Sequence, residues 1–336
     1  MSEGTEESDI AEAVQRRWAR GKAFLGAETA IMGGAMAWVS DAGLVSAISN
    51  GGGFGVLAAA AMPPKDFAAE IEEARTLTDR PFGLNIITLH PQFGDLLALC
   101  VDSDAGYVVV GGGLPPKDAL SALKDSGKRV FAFAPSLAIA KRLVRTGVDA
   151  LIIEGREAGG HVGPVSTLVL CQEIANHITE VPVFVAGGIG TPEGVRSCLV
   201  AGASGCQVGT RFAACAESPA HENFKKVLAR APSKDAIVPP SIDKRLRVPP
   251  VRAIANQAQV DFMELQRDLV AQMDAGHLDA SGAQQHIEHF WAGRLRRAVV
   301  NGDVESGSVM AGQSVGLVKG GETAREIILD LSAGAS

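Results

Sequence analysis

One histidine and several paired glycines hold most of the reactive potential of this chain. His161 lies in Glu154–Gly163, EGREAGGHVG, with glycines at 155, 159, 160 and 163. An imidazole titrates near neutrality, so it suits proton transfer or polarisation of a carbonyl. Glycines around it let a ligand approach the main chain closely. Gly187-Gly188 and Gly209-Thr210 each follow an apolar run. Backbone N–H groups in such turns, backed by a helix N-terminus, cradle phosphate, and Thr210 adds a hydroxyl donor. In MGGAMAWVSD, 32–41, Gly33 and Gly34 free the backbone to meet a flat ligand, and Met36 and Trp38 offer apolar surface. Trp38 by itself reads better as core, and Ser40 or Asp41 is placed to cap the next helix. Asn85, in PFGLNII, is polar within an apolar strand and needs a partner, which a ligand ring would provide.

Other features read as structure. NGGGFG, 50–55, precedes a strand instead of following one, so it reads as a helix C-cap and not a nucleotide loop. His286 and His289 fall on one solvated helical face, and no third ligand completes a metal-site spacing, so no metal is expected.

The elements that must position these residues alternate. Short apolar or β-rich runs at 29–32, 55–59, 82–87, 107–110, 130–134, 149–153, 182–186 and 205–209 read as strands. Helical segments between them include Pro64–Thr78, Pro135–Thr146, Ser166–Ile178 and Thr191–Ala201. Ser136 and Thr191-Pro192 mark starts, and glycines 127, 147 and 202 stand at the ends. Eight such repeats predict an α/β chain folded as a (β/α)8 barrel, with a doubly wound sheet as the competitor. His161 then follows the sixth strand, and the two phosphate turns follow the seventh and eighth, at the C-terminal face where barrels keep their chemistry. We divide the chain into a polar arm or short helix at 1–22, the barrel at 23–216, a helical insertion or lid at 217–306, and a return segment at 307–336 that packs on the barrel mouth and ends in a helix from about Thr323.

Composition sets the outer limits. With 336 residues, 46% hydrophobic and 21% charged, the chain can bury a sizeable core. A net charge of −7 argues against nucleic acid or an anionic membrane as partner. The acidic start is unlike a signal peptide, and no apolar run approaches the ~18 residues of a membrane span. Five cysteines without paired spacing read as reduced, buried thiols in a cytoplasmic protein.

Taken together, IMGGAMAWVSDAGLVSAISNGGGFG, PFGLNI, EGREAGGHVG, VFVAGGI, QVGTRF, PVRAIANQ and GSVMAGQ…GLV resemble the FMN-dependent enoyl-acyl-carrier-protein reductase II and its wider family, which includes nitronate monooxygenase (2-nitropropane dioxygenase). The resemblance spans about 24–330. It implies a barrel with FMN at its C-terminal mouth. The FMN phosphate would sit on Gly187, Gly188, Gly209 and Thr210. The ring would meet Gly34, Ala35 and Met36, Asn85, and the Met310-Ala311-Gly312-Gln313 segment. Glu154 and Gln207 would be further flavin contacts, and Gly160 would let His161 lie close over the ring. Relatives usually carry Gln-Gly-Gly-Met where this chain has Gly33-Gly34-Ala35-Met36, which removes a donor and acceptor and adds a methyl.

The leading expectation is reduction of the C=C bond of a trans-2-enoyl thioester, on carrier protein or coenzyme A, by NADH or NADPH through FMN. His161 would be the catalytic group. Nitronate oxidation with oxygen on the same scaffold is the alternative. A non-redox isomerase or lyase using the same phosphate turns is the third reading. The resemblance leaves a monovalent cation and a homodimer open.

Overall fold

The computed structural model describes residues 3–59, 62–246 and 248–336. Eight parallel strands form the central sheet: β1 (Ile31–Gly33), β2 (Val56–Ala58), β3 (Gly83–Ile87), β4 (Tyr107–Gly111), β5 (Arg129–Phe133), β6 (Ala150–Glu154), β8 (Val183–Ala186) and β9 (Gly205–Val208). A two-residue strand, β7 (Gly160–His161), lies outside this sheet. The hydrogen-bonded order is β1-β9-β8-β6-β5-β4-β3-β2, and a parallel bridge from Met32 to Phe54 joins the two ends into a near-closed barrel. The doubly wound alternative is thereby excluded. Both strand faces are buried, which is why the runs are continuously apolar instead of alternating.

Helices fill the intervals: α1 (Glu3–Leu25), α2 (Ala42–Asn50), α3 (Pro64–Leu77), α4 (Phe93–Asp102), α5 (Lys117–Asp125), α6 (Leu137–Thr146), α7 (Thr167–Leu170), α8 (Pro192–Val200) and α9 (Thr210–Ala213). Their start signals act as expected. Ser136 accepts from the Ile139 N–H, and Thr191 accepts from the Gly194 N–H ahead of Pro192. The segment expected as one helix over 166–178 is α7 continued by a π-helical turn, Cys171–Ala175. All five cysteines are buried and unbridged.

Of the two forms expected for the N-terminal segment, arm or short helix, the structure has a helix, and a long one of 23 residues. Val14, Trp18 and Leu25 are buried on one stripe, and Gly21 sits where a Cβ would fall 1.9 Å from the Ser204 carbonyl oxygen. Phe24 continues this contact into the barrel floor. It stacks edge-on against Phe131 at 5.2 Å, and Phe54 against Tyr107 at 5.0 Å. Phe54 precedes β2, Tyr107 opens β4 and Phe131 lies within β5, so these rings and α1 close the N-terminal end of the barrel.

The segment after α9 holds α10 (Glu222–Leu228), β10 (Ala236–Ile237), β11 (Val251–Ile254), α11 (Gln257–Asp274) and α12 (Ala280–Val299), and the return segment ends in α13 (Ala324–Ser332). It was expected to be purely helical. Instead β10 and β11 join β7 in a three-stranded antiparallel ribbon. α11 and α12 pack on the ribbon through Phe262, Ile287, Trp291 and Val251. No helix of the described residues is long and apolar enough to cross a membrane.

Candidate active site

The strand ends place most of the selected residues at one mouth. β6 ends in Glu154, and its register runs through Ala186 and Gln207 to Met32, one row across four strands. The turns after β8 and β6 interlock. Gly187 and Gly188 have φ of 96° and 78°, and a Cβ on Gly187 would lie 2.9 Å from the Gly155 carbonyl oxygen. Only glycine meets both demands. Thr167 Oγ1 bridges the same turns, 2.9 Å from Glu157 Oε2 and 2.8 Å from the Gly187 carbonyl oxygen.

Thr210 opens α9, and its Oγ1 accepts from the Gly312 N–H at 3.0 Å. That bond fixes the return segment to the eighth barrel strand while the hydroxyl hydrogen stays free to donate. Arg211, 2% exposed, holds the Gly190 carbonyl at 3.0 Å and pairs with Asp330 and Glu322, both at 2.6 Å. It anchors both glycine turns to α13.

The first loop closes on the same point. The Gly34 N–H donates to the Val208 carbonyl at 2.9 Å. Ser40 Oγ receives the Met36 N–H at 3.0 Å and donates to the Gly34 carbonyl at 2.8 Å, while Asp41 caps α2. Gly34 and Gly209 approach so closely that a Cβ on Gly34 would be 3.7 Å from Gly209 Cα and 3.8 Å from Gln207 Nε2. At Gly33 a Cβ would meet only the tip of Ile48, Cδ1 at 2.7 Å, which a change of its rotamer could relieve. Trp38 is half-buried at the edge of the core, with a left-handed φ of 66° and the Arg296 guanidinium of α12 5.6 Å from its ring.

His161 stands opposite Val251 in the ribbon, and the Val162 N–H donates to the Pro250 carbonyl at 3.0 Å. The double glycine before it has separate causes. A Cβ on Gly159 would strike the Ala311 carbonyl carbon at 2.6 Å, and Gly160 takes φ 72° with Met310 Sδ alongside. The imidazole is open to the mouth, yet surrounding protein disfavours its charged form and lowers its pKa, against an opposing pull from Glu288 of α12. The surroundings of His161 therefore favour the uncharged imidazole.

Three polar side chains reach the mouth with unused capacity. Burial pushes the Glu154 carboxyl up to about 7, and it makes no hydrogen bond to a described residue. Gln207, 8% exposed, likewise has no side-chain partner among the described residues. Asn85, 6% exposed, donates from Nδ2 to the Val109 carbonyl at 3.0 Å, which leaves its amide oxygen free. None of these polar tips is sealed off from solvent, so each remains available to a ligand. With the glycine cradles, this donor and acceptor set fits a flavin mononucleotide. Gln313 differs: its side chain is exposed and lines a separate cavity with Arg156. Glu157, Thr167, Arg211 and Glu288 were not singled out from the sequence, because their partners lie far away in the chain or on another element.

Comparison with known proteins establishes the family and supports the barrel. The nitronate monooxygenase family profile matches residues 20–104 and 93–334. A 5-hydroxy-7a-methyl-1-oxo-octahydro-1H-indene-4-carboxyl-CoA dehydrogenase of Mycobacterium tuberculosis is 34% identical over 223 residues, which is 66% of this chain and 62% of that protein. A nitronate monooxygenase of Paraburkholderia phytofirmans is 29% identical over 280 residues, 69% of this chain and 75% of that protein. The solved structure of FabK from Thermotoga maritima superposes with a TM-score of 0.83 at 34% identity, over 94% of this chain and 95% of that one. The chain belongs to the nitronate monooxygenase family, a family of oxidoreductases.

Proposed function

We propose that the protein is an FMN-dependent oxidoreductase that reduces the C=C bond of enoyl thioesters at the expense of NADH or NADPH. The observation that supports this reading is the set gathered around the strand ends: a ribbon-held His161 whose surroundings favour the uncharged imidazole, two glycine turns, and three polar side chains with unused capacity. Gly187, Gly188, Gly209 and Thr210 would hold the phosphate. Gly34, Ala35, Met36, Asn85, Met310 and Gly312 would border the ring, and Glu154 and Gln207 would take the remaining polar contacts. Bound there, FMN would supply hydride transfer, which no side chain can perform. Relative to substrate, the product gains a hydride at the β-carbon and a proton at the α-carbon, and the nicotinamide is oxidised. A neutral imidazole would donate its N–H hydrogen bond to the thioester carbonyl, and the proton for the α-carbon would come from solvent, taken up at the second ring nitrogen as the N–H proton is passed on.

The His161→Ala variant tests the assignment. It keeps its flavin absorbance and loses ~10²–10⁴-fold in enoyl-thioester turnover, the usual contribution of a general acid or base. Undiminished turnover removes His161 from the reaction. Nitronate oxidation is the second reading, favoured by the family profile and by the similarity to the Paraburkholderia enzyme.

A further inference from the structure

The ribbon that carries His161 has a second face. Residues directly opposite in an antiparallel pair share a face, and neighbours along a strand alternate. Val251 pairs with His161 and shares its face; Arg252 pairs with Gly160 and points the other way. Behind the ribbon is a cavity of about 360 Å³ whose wall includes Arg156, Lys234 and Arg252, with Glu157 and Gln313.

The charge on this wall is not balanced. Arg252 is 5% exposed. Its guanidinium donates to the Arg156 carbonyl at 3.2 and 3.0 Å and to the Ala236 carbonyl. Those carbonyls take three of its five N–H groups and carry no countercharge, which leaves two for a ligand. Among the described residues, none of the three cations is in an ion pair. Glu157 is the one acid on the wall, and its Oε2 already accepts the Thr167 N–H at 2.9 Å and meets the Thr167 hydroxyl. Burial and the neighbouring Arg156 both work against the Arg252 charge, and Glu157 offsets them only in part. In a chain with net charge −7 this concentration is local and not a general field. Burying a charge without a counter-ion is costly, and an anion in the cavity removes that cost. Two guanidinium groups and an ammonium suit a phosphate better than a single carboxylate, because the planar fork engages two oxygens while lysine adds point charge.

The cavity is also close to the chemistry. Arg156 precedes His161 by five residues, so at most ~18 Å of chain separates them. Gln313, on the cavity wall, ends the segment whose Met310 lies beside Gly160.

We propose that this cavity binds the phosphomonoester of a nucleotide coenzyme whose reactive end lies at His161. The idea rests on the thioester and nicotinamide reading above, which supplies two sources of the same group: the 3′-phosphate of coenzyme A and the 2′-phosphate of NADPH. The test is a set of dissociation constants on the flavin-loaded protein. Coenzyme A is compared with dephospho-coenzyme A, and NADPH with NADH, in the wild type and in the Arg156→Gln/Lys234→Gln double variant, whose altered side chains are both exposed. In one pair the phosphorylated member binds about tenfold or more tightly in the wild type, and the double variant brings that ratio close to one. The pair that shows the preference identifies the source. Equal binding within both pairs overturns the proposal, and so does a preference that survives in the double variant. Failure of the reaction itself reads differently. A phosphate preference lost in the double variant, in a protein that reduces no enoyl thioester, removes the proposed reaction and leaves the pocket standing.

Discussion

At the scale of single residues, Glu154 and His161 carry opposite electrostatic signatures in one mouth. Burial favours the neutral form of each: it raises the carboxyl to about 7 and lowers the imidazole. The consequences for stability therefore have opposite signs. A carboxyl with a raised folded pKa adds stability fully below its unfolded value near ~4.3, and loses it as pH rises through about 7. A lowered histidine adds stability above its unfolded value near ~6.5, which is lost as pH falls through the folded one. Glu154→Gln should accordingly raise the melting temperature of the flavin-free protein more at pH 8 than at pH 5. An identical gain at both pH values means the carboxylate is already solvated or paired. Of these residues, His161 was legible in the sequence because a histidine among post-strand glycines has few structural uses. Glu154 came only through resemblance to a family, since a glutamate at a strand end looks the same whether solvated or buried. Thr167 and Glu157 were not legible at all, because a ten-residue separation in sequence carries no sign that they clamp the Gly187 turn.

Among the elements, the barrel strands were the most legible part. Continuous apolar runs bounded by glycine or proline fix a doubly buried strand to within a residue or two, as 149–153 against Ala150–Glu154 illustrates. The two-residue strands β7 and β10 were not legible, because periodicity needs more residues than they contain. The length and docking of α1 were hidden by its charge, although Val14, Trp18 and Leu25 follow helical spacing and are buried. The Arg211 link was equally silent in sequence, since it joins α9 to acids more than a hundred residues later. Breaking a buried pair from one side costs ~3–5 kcal/mol. Arg211→Ala should therefore lower unfolding free energy by about 3 kcal/mol in urea titration and weaken flavin retention, because the Gly190 carbonyl loses its donor. A loss under ~1 kcal/mol would assign the pair to the surface class instead.

For the whole molecule, two ends of one barrel do different work. The floor is closed by α1 and an aromatic layer, and the mouth is assembled from loops that meet only in three dimensions. The family follows from that scaffold, whereas the substrate depends on what the mouth and its ribbon accept. The central claim is that a nicotinamide, and not the oxidisable substrate, delivers the electrons. Anaerobic mixing of the flavin-loaded protein with NADH or NADPH, followed in the visible spectrum, tests it directly. The account predicts that the nicotinamide bleaches the flavin and that an enoyl thioester then restores its colour. Bleaching by an alkyl nitronate alone, with the nicotinamides inert, would contradict the account and make the protein a nitronate-oxidising member of the family.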